Sequence, residues 1–143
     1  MSFRWVNYYH LACDLLKQAV QDPALRGKPE AEARLRSAVS RFYYAAYGEV
    51  SDFVRKNGYL LSGAPSDHQN VPEYLRKIGI EEGLVELEKA AERLITLKEK
   101  RKQADYKTDC FSRLRTNPER MAESAKRLAN KVLSAIGLNV TSC

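Results

Sequence analysis

SAVSRFYYAAYGEVSDFVRKNG, residues 37–58, is apolar on almost every side when it is read as an α-helix. Residues at steps of three and four form one continuous stripe: Leu35, Ala38, Val39, Phe42, Ala46, Val50 and Phe53. Further apolar and aromatic side chains lie on the other faces: Tyr43, Tyr44, Ala45 and Tyr47. A helix that is apolar all round is usually surrounded by partners. The stretch therefore predicts a helix that runs through the middle of a helical bundle.

The rest of the chain also shows helical periodicity, and no alternating strand pattern competes with it. The helix-breaking signals are Asp22-Pro23, Gly27-Lys28-Pro29, the segment NGYLLSGAPS at 57–66, Gly79, Asn117-Pro118 and Gly137. They predict five helices, over residues 4–21, 29–57, 69–78, 80–108 and 117–136. Short connections favour antiparallel neighbours. We therefore expect an all-α fold, a single-domain antiparallel bundle of about five helices that spans residues 1–143.

Length and composition fit one ordinary globular domain. The chain has 143 residues, of which 44% are hydrophobic and 29% charged, so a core can hold the fold without a disulfide or a metal. The three cysteines, Cys13, Cys110 and Cys143, are far apart, and a reducing cytoplasm fits them best. Charged residues interrupt the N-terminal segment, and no apolar run is long enough to cross a bilayer. We expect a cytoplasmic protein with no membrane span, metal or cofactor.

The net charge of +6 comes from the last third of the chain. Residues 98–143 contain 11 Lys and Arg against 5 Asp and Glu, whereas residues 1–97 contain 13 of each kind. Such a local excess can hold RNA, DNA or a nucleotide phosphate through charge and counterion release. The same composition also suits a solvated helix face near a chain end. Composition leaves both interpretations open.

A carboxylate lies within the apolar stripe of the central helix. Glu49 projects between Phe42 and Phe53. An unpaired buried carboxylate is costly, so a cation must reach it or it must lie where the stripe meets solvent. Exposed carboxylates are the commoner case, and we expect the solvent edge.

The apolar face of the fourth helix becomes ionic halfway along. The line through Leu87, Ala91 and Leu94 continues to Lys98, Arg101 and Asp105, which are followed by further basic residues. One interpretation is that the helix outruns its partners, so that Arg101 and Asp105 form an ordinary solvated pair four residues apart. The other is that these side chains face a cleft or a subunit interface, where an arginine can grip a phosphate.

Residues with catalytic potential are few. His10 and His68 are the two imidazoles, and the chain has no HExxH, GxSxG or glycine-rich phosphate loop. These absences disfavour the common hydrolase classes. We expect His10 to be a boundary residue on the amphipathic first helix, His68 to be a local capping group in a turn, and Cys13 and Cys110 to be packed or incidental thiols.

Four segments together resemble the small bacterial and archaeal members of the HEPN family, named for higher eukaryotes and prokaryotes nucleotide-binding. They are FRWVNYYHLACDLL, SAVSRFYYAAYGEVSDFVRKNG, SDHQNVPEYLRKIG and RKQADY, in that order over nearly the whole chain. The most specific parts are SRFYYAAY, Ser40 to Tyr47, and RKQADY, Arg101 to Tyr106. The resemblance implies a HEPN-like antiparallel helical bundle that often forms a homodimer.

The resemblance also bears on activity. Many HEPN proteins are metal-independent RNases whose site is an arginine followed after four to six residues by a histidine, paired across the dimer. Arg101 matches that arginine, but Tyr106 occupies the histidine position. A phenol with a pKa near ~10 does not exchange protons at neutral pH as an imidazole does. The resemblance therefore implies an RNA- or nucleotide-binding component of a toxin–antitoxin or defence system without strong catalysis.

Two alternatives remain open. One is a metal-independent RNase toxin in which Arg101 contacts the phosphate and Asp105, Tyr106 or His68 handles the protons. The other is a helical dimerisation adaptor that neither binds nor cleaves RNA.

The candidate contacts and partners follow from these interpretations. The candidate nucleic-acid contacts are Lys98, Arg101, Lys102, Lys107, Arg41 and Tyr44. Some HEPN toxins are silenced by a nucleotidyltransferase antitoxin that adds AMP to a tyrosine beside the motif, and Tyr106 is the nearest candidate for that modification.

Overall fold

The computed structural model describes residues 3–107 and 117–140, and within these ranges all regular structure is helical. The described residues contain five helices: α1 Val6–Gln21, α2 Pro29–Lys56, α3 Asp67–Glu82, α4 Val85–Tyr106 and α5 Pro118–Ala135. They pack against each other as a bundle. The predicted all-α bundle of five helices is confirmed.

α2 is the centre of the bundle and packs against each of the other four helices. Phe42, Tyr43 and Ala45, which point in different directions around its axis, are all fully buried. The helix begins at Pro29, a residue suited to a first turn because its missing N–H leaves no donor unsatisfied. The central position predicted from residues 37–58 is confirmed.

The predicted boundary between the third and fourth helices was wrong. α3 continues through Gly79 to Glu82 and is followed by Gly83, which has a positive φ of 68°. Gly79 is instead buried where α3 meets the start of α4. A Cβ there would lie 3.0 Å from the carbonyl oxygen of Leu84 and the backbone nitrogen of Glu88. The absence of a side chain at Gly79 therefore permits close packing of α3 and α4, while Gly83 terminates α3.

Glu49 is buried, so the expected solvent-edge position was wrong. Its Oε1 accepts a hydrogen bond of 2.9 Å from the backbone N–H of Val6, the first residue of α1. That N–H has no acceptor within its own helix, and a carboxylate is favoured at the positive end of a helix dipole. Glu49 thus caps α1 from the central helix.

Two further expectations concern the thiols and the membrane. Cys13 is buried in α1 and is disulfide-bonded, not the free thiol that the sequence suggested. Cys110 lies outside the described residues. None of the helices in the described ranges has the length and apolar character needed to cross a bilayer.

Candidate functional site

Arg101 lies on the face of α4 that points into the bundle. Its position continues the buried line of Leu94 and Leu97, and the residue is only 8% exposed. The interpretation in which this part of α4 is solvated was therefore wrong for Arg101. A guanidinium at this depth needs compensating contacts, because burial removes its hydration.

Aromatic rings provide most of those contacts. The Cζ of Arg101 lies 5.4 Å from the ring centre of Tyr43, 5.6 Å from that of Tyr44 and 5.6 Å from that of Tyr106. These distances are typical of cation–π attraction. Tyr43 and Tyr44 come from α2, whereas Tyr106 is the last residue of α4 and is 71% exposed. The guanidinium is thus enclosed by α2 and shielded from solvent by an exposed tyrosine.

The polar contacts of Arg101 are incomplete. Its Nη1 lies 3.4 Å from the Tyr106 hydroxyl, to which it donates, and 3.6 Å from the Asp105 carboxylate. A guanidinium carries five N–H donors. Among the described residues, the buried Nε of Arg101 has no hydrogen-bond acceptor. A buried cationic donor without an acceptor is unusual in a folded protein, and it makes the surroundings of Arg101 the candidate functional site.

His68 belongs to the same cluster. It lies in the first turn of α3, and its Nδ1 is 2.6 Å from the Tyr43 hydroxyl. Its ring also stacks on Tyr47, with ring centres 4.2 Å apart. The expected role as a local cap was wrong, because the side chain contacts α2. Tyr43 contacts both His68 and Arg101, and it brings together two residues that are distant in sequence.

The surroundings favour the neutral forms of both members of this hydrogen bond. Burial lowers the pKa of His68 below its ordinary value of 6.5, and the positive charges of Arg101 and Lys98 lower it further, while Asp67 opposes them. Burial raises the pKa of the Tyr43 phenol well above its usual range. At neutral pH the cluster therefore combines a permanent cation with a neutral imidazole and a neutral phenol.

Two residues of α2 hold the end of α4 in position. Arg36 donates from Nη1 to the carbonyl oxygens of Ala104, at 2.9 Å, and Lys107, at 3.0 Å. These carbonyls belong to the C-terminal turn, where a cation is favoured. Ser40 donates to Asp105 at 3.3 Å. The turn that carries Asp105 and Tyr106 is thus fastened to the central helix.

The remaining candidate cations differ in their burial and in the residues that they contact. Lys98 is half-buried, and burial together with the charge of Lys102 lowers its pKa. Lys102 and Lys107 are exposed, and Lys102 pairs with Glu99 at 3.8 Å. Arg41 lies 5.0 Å from the ring centre of Tyr8 on α1. The structure therefore places Arg41 with α1 and Lys98 beside Arg101.

Sequence reasoning did not single out Arg36, Ser40 or Tyr43 as site residues. Their spacing held a usable signal, because positions 36, 40, 43 and 47 recur at steps of three and four and share one helix face. That face contains hydroxyls and a cation among apolar neighbours, which distinguishes it from the Val39–Phe42 side.

The chain has no detected similarity to known proteins. No family model matches the chain, and neither does any curated protein or solved structure. The resemblance to HEPN proteins therefore stays a prediction based on the quoted residues. Within residues 3–107 and 117–140, no group of three or more His, Cys, Asp or Glu side chains could hold a metal ion.

Proposed function

We propose that this protein binds a phosphate group of RNA or of a nucleotide at Arg101. The observation that supports this most directly is the buried guanidinium whose Nε has no acceptor among the described residues. A phosphate oxygen would satisfy that donor if the exposed Tyr106 ring moves aside, and the planar guanidinium can offer a second N–H to the same phosphate. Lys98, which is half-buried one turn before Arg101 on the same helix, adds positive charge beside the site.

The tyrosines favour an aromatic-containing ligand over a free phosphate. Tyr44 is half-buried and Tyr106 is 71% exposed. Exposed aromatic rings beside a cation are the usual platform for unpaired bases. The HEPN resemblance points in the same direction and supports a role as the RNA- or nucleotide-binding component of a toxin–antitoxin or defence system.

The test is binding of a labelled single-stranded RNA in the presence of EDTA, measured by fluorescence anisotropy at several salt concentrations. We expect affinity to fall steeply as salt rises, because phosphate contacts release counterions. Arg101→Ala should abolish most of the binding. Arg101→Lys should recover only part of it, because a lysine keeps the charge but lacks the planar guanidinium that donates two parallel hydrogen bonds.

Arg26→Ala is the matched control. Arg26 is exposed between α1 and α2, so the variant loses the same charge outside the cluster. Circular dichroism of all variants monitors folding. Equal affinity of the Arg101→Ala and Arg26→Ala proteins would contradict the proposed site.

A second candidate function is metal-independent RNA cleavage, and the contact of Tyr43 with both His68 and Arg101 favours it. His68 Nε2 would take the proton of a ribose 2′-hydroxyl, whose oxygen bonds to phosphorus. The bond to the 5′-oxygen breaks, and that oxygen takes a proton from water. Arg101 would stabilise the charge on the phosphoryl oxygens. This role requires the tautomer in which Nδ1–H donates to Tyr43, so that Nε2 is free to accept.

Gel analysis of the same RNA distinguishes binding from cleavage. Cleavage by wild-type protein in EDTA, lost in both His68→Ala and Arg101→Ala, would support the RNase function. Retention without cleavage leaves binding as the function. If wild-type protein neither retains nor cleaves the RNA, the result favours the dimerisation adaptor.

A further inference from the structure

A cavity of about 350 Å³ adjoins His68. Its aromatic wall consists of Trp5, Tyr47 and His68. Trp5 lies directly on Gly48 of α2, where a Cβ would overlap the indole ring. The missing side chain at Gly48 thus provides the space in which Trp5 forms one wall. We refer to this space as the Trp5 cavity.

Another part of the lining is a loop that the protein holds in place by itself. The buried carboxylate of Asp67 accepts hydrogen bonds from the Ser62 backbone N–H at 3.1 Å, the Ser62 hydroxyl at 2.9 Å and the Gly63 N–H at 2.7 Å. These bonds fasten residues 62–67 to the start of α3. Because the loop is held in place without a ligand, the Trp5 cavity is preformed, and ligand binding needs little ordering of the wall.

The Trp5 cavity and the Arg101 cluster share His68. The ring centres of His68 and Tyr43 are 5.8 Å apart, and the Cζ of Arg101 lies 5.4 Å from the ring centre of Tyr43. A ligand that reaches from one site to the other would therefore place its charged group at Arg101 and its other end in the Trp5 cavity.

The side chains that line the Trp5 cavity determine which chemical group of a ligand fits there. Trp5 and Tyr47 offer aromatic surface, while Ser51 and Arg55 supply polar groups at the same cavity. Flat aromatic walls with a few hydrogen-bonding groups suit a planar heteroaromatic ring with a polar edge. We propose that the Trp5 cavity is a nucleobase subsite, which takes a base of the same RNA or nucleotide whose phosphate is bound by Arg101. This inference rests on the proposed function.

Trp5 is the single tryptophan of the chain, so its fluorescence reports directly on the cavity. Wild-type protein is titrated with a short single-stranded RNA and with an abasic strand of the same length and backbone. We expect the RNA to quench Trp5 emission and to bind about tenfold more tightly than the abasic strand, in line with the contribution of base stacking. The abasic strand should still bind, through Arg101, without quenching.

A cavity-filling variant gives an independent readout. Ala64 lies in the exposed loop that lines the Trp5 cavity, so Ala64→Leu should occupy the space without disturbing the core. Its affinity for RNA should fall towards that of the abasic strand, with any remaining difference due to bases that contact Tyr44 and Tyr106, while its affinity for the abasic strand stays unchanged. Ala24→Leu, in the exposed turn after α1, is the matched control and should behave like wild type.

The outcomes separate the two proposals. Equal binding of RNA and abasic strand, still lost in Arg101→Ala, would overturn the subsite and leave phosphate binding intact. Quenching and tight binding that persist in Ala64→Leu would also overturn the subsite. Failure of wild-type protein to bind either strand would overturn both proposals.

Discussion

The Tyr43 hydroxyl and His68 Nδ1 are 2.6 Å apart, and this hydrogen bond joins the centre of α2 to the first turn of α3. Tyr43 is 1% exposed, so the bond is well shielded from water on the phenol side. The ring of the same tyrosine lies against Arg101. One buried phenol thus positions the imidazole through its hydroxyl and the guanidinium through its ring.

Removing only the hydroxyl separates these two roles. Tyr43→Phe should lower the free energy of unfolding by about 1 kcal/mol, because His68 loses its partner while the ring contact with Arg101 remains. Urea unfolding followed by circular dichroism measures the change. Tyr59→Phe removes a hydroxyl from a half-buried tyrosine that stacks on Tyr74, and it serves as the control. Similar losses in the two variants would argue against a specific role of the Tyr43–His68 bond.

The lowered pKa of His68 predicts a pH dependence of stability. Below its ordinary value of 6.5, the unfolded chain protonates this imidazole more readily than the folded protein does. The unfolding free energy should therefore be highest above that pH and should decrease as the pH falls through 6.5 towards the lower folded-state value. Urea unfolding at a series of pH values measures the slope.

A variant without the imidazole identifies the source of that slope. His68→Gln should flatten the dependence near pH 6.5, whereas His10→Gln, which removes the other imidazole from an exposed position on α1, should leave it in place. An unchanged slope in His68→Gln would show that other groups cause it.

The cap provided by Glu49 predicts a loss of stability on its removal. Glu49→Ala leaves the Val6 N–H at the start of α1 without its acceptor and should cost about 1–2 kcal/mol. Glu49→Gln retains a side-chain oxygen and should recover a large part of that loss. Thermal and urea unfolding of the two variants measure it. If both variants lose the same amount, the charge and not the hydrogen bond is the main contribution.

A side chain at position 79 should destabilise the protein by steric overlap, although it increases helix propensity. Gly79→Ala adds a Cβ that would lie 3.0 Å from backbone atoms at the start of α4, which move only with the helix. We expect a destabilisation of about 1–3 kcal/mol, as for other overpacked positions, although alanine is the better helix former. Lys77→Ala, on the exposed side of the same helix, should change the unfolding free energy by no more than about 0.5 kcal/mol. A stabilised Gly79→Ala protein would contradict the close approach of α3 and α4.

Much of the fold was predictable because its causes are local. Repeats of apolar residues at steps of three and four mark helices wherever a core will cover one face, and proline at residues 29 and 118 marks two helix starts. The α3–α4 boundary was not predictable in this way. Gly79 and Gly83 look alike as residues, and only packing determines that one lies under α4 while the other adopts a left-handed conformation.

The same division holds for the candidate site. Local sequence determined that the chain is helical, that residues 37–58 occupy the centre, and that an arginine interrupts an apolar face at position 101. Tertiary structure alone decided that Arg101 is buried under tyrosines of α2, and that His68 reaches Tyr43 from a helix 25 residues further along the chain. The physical reason is that periodicity reports which face of a helix avoids water, whereas the partner met by that face depends on how all five helices pack together.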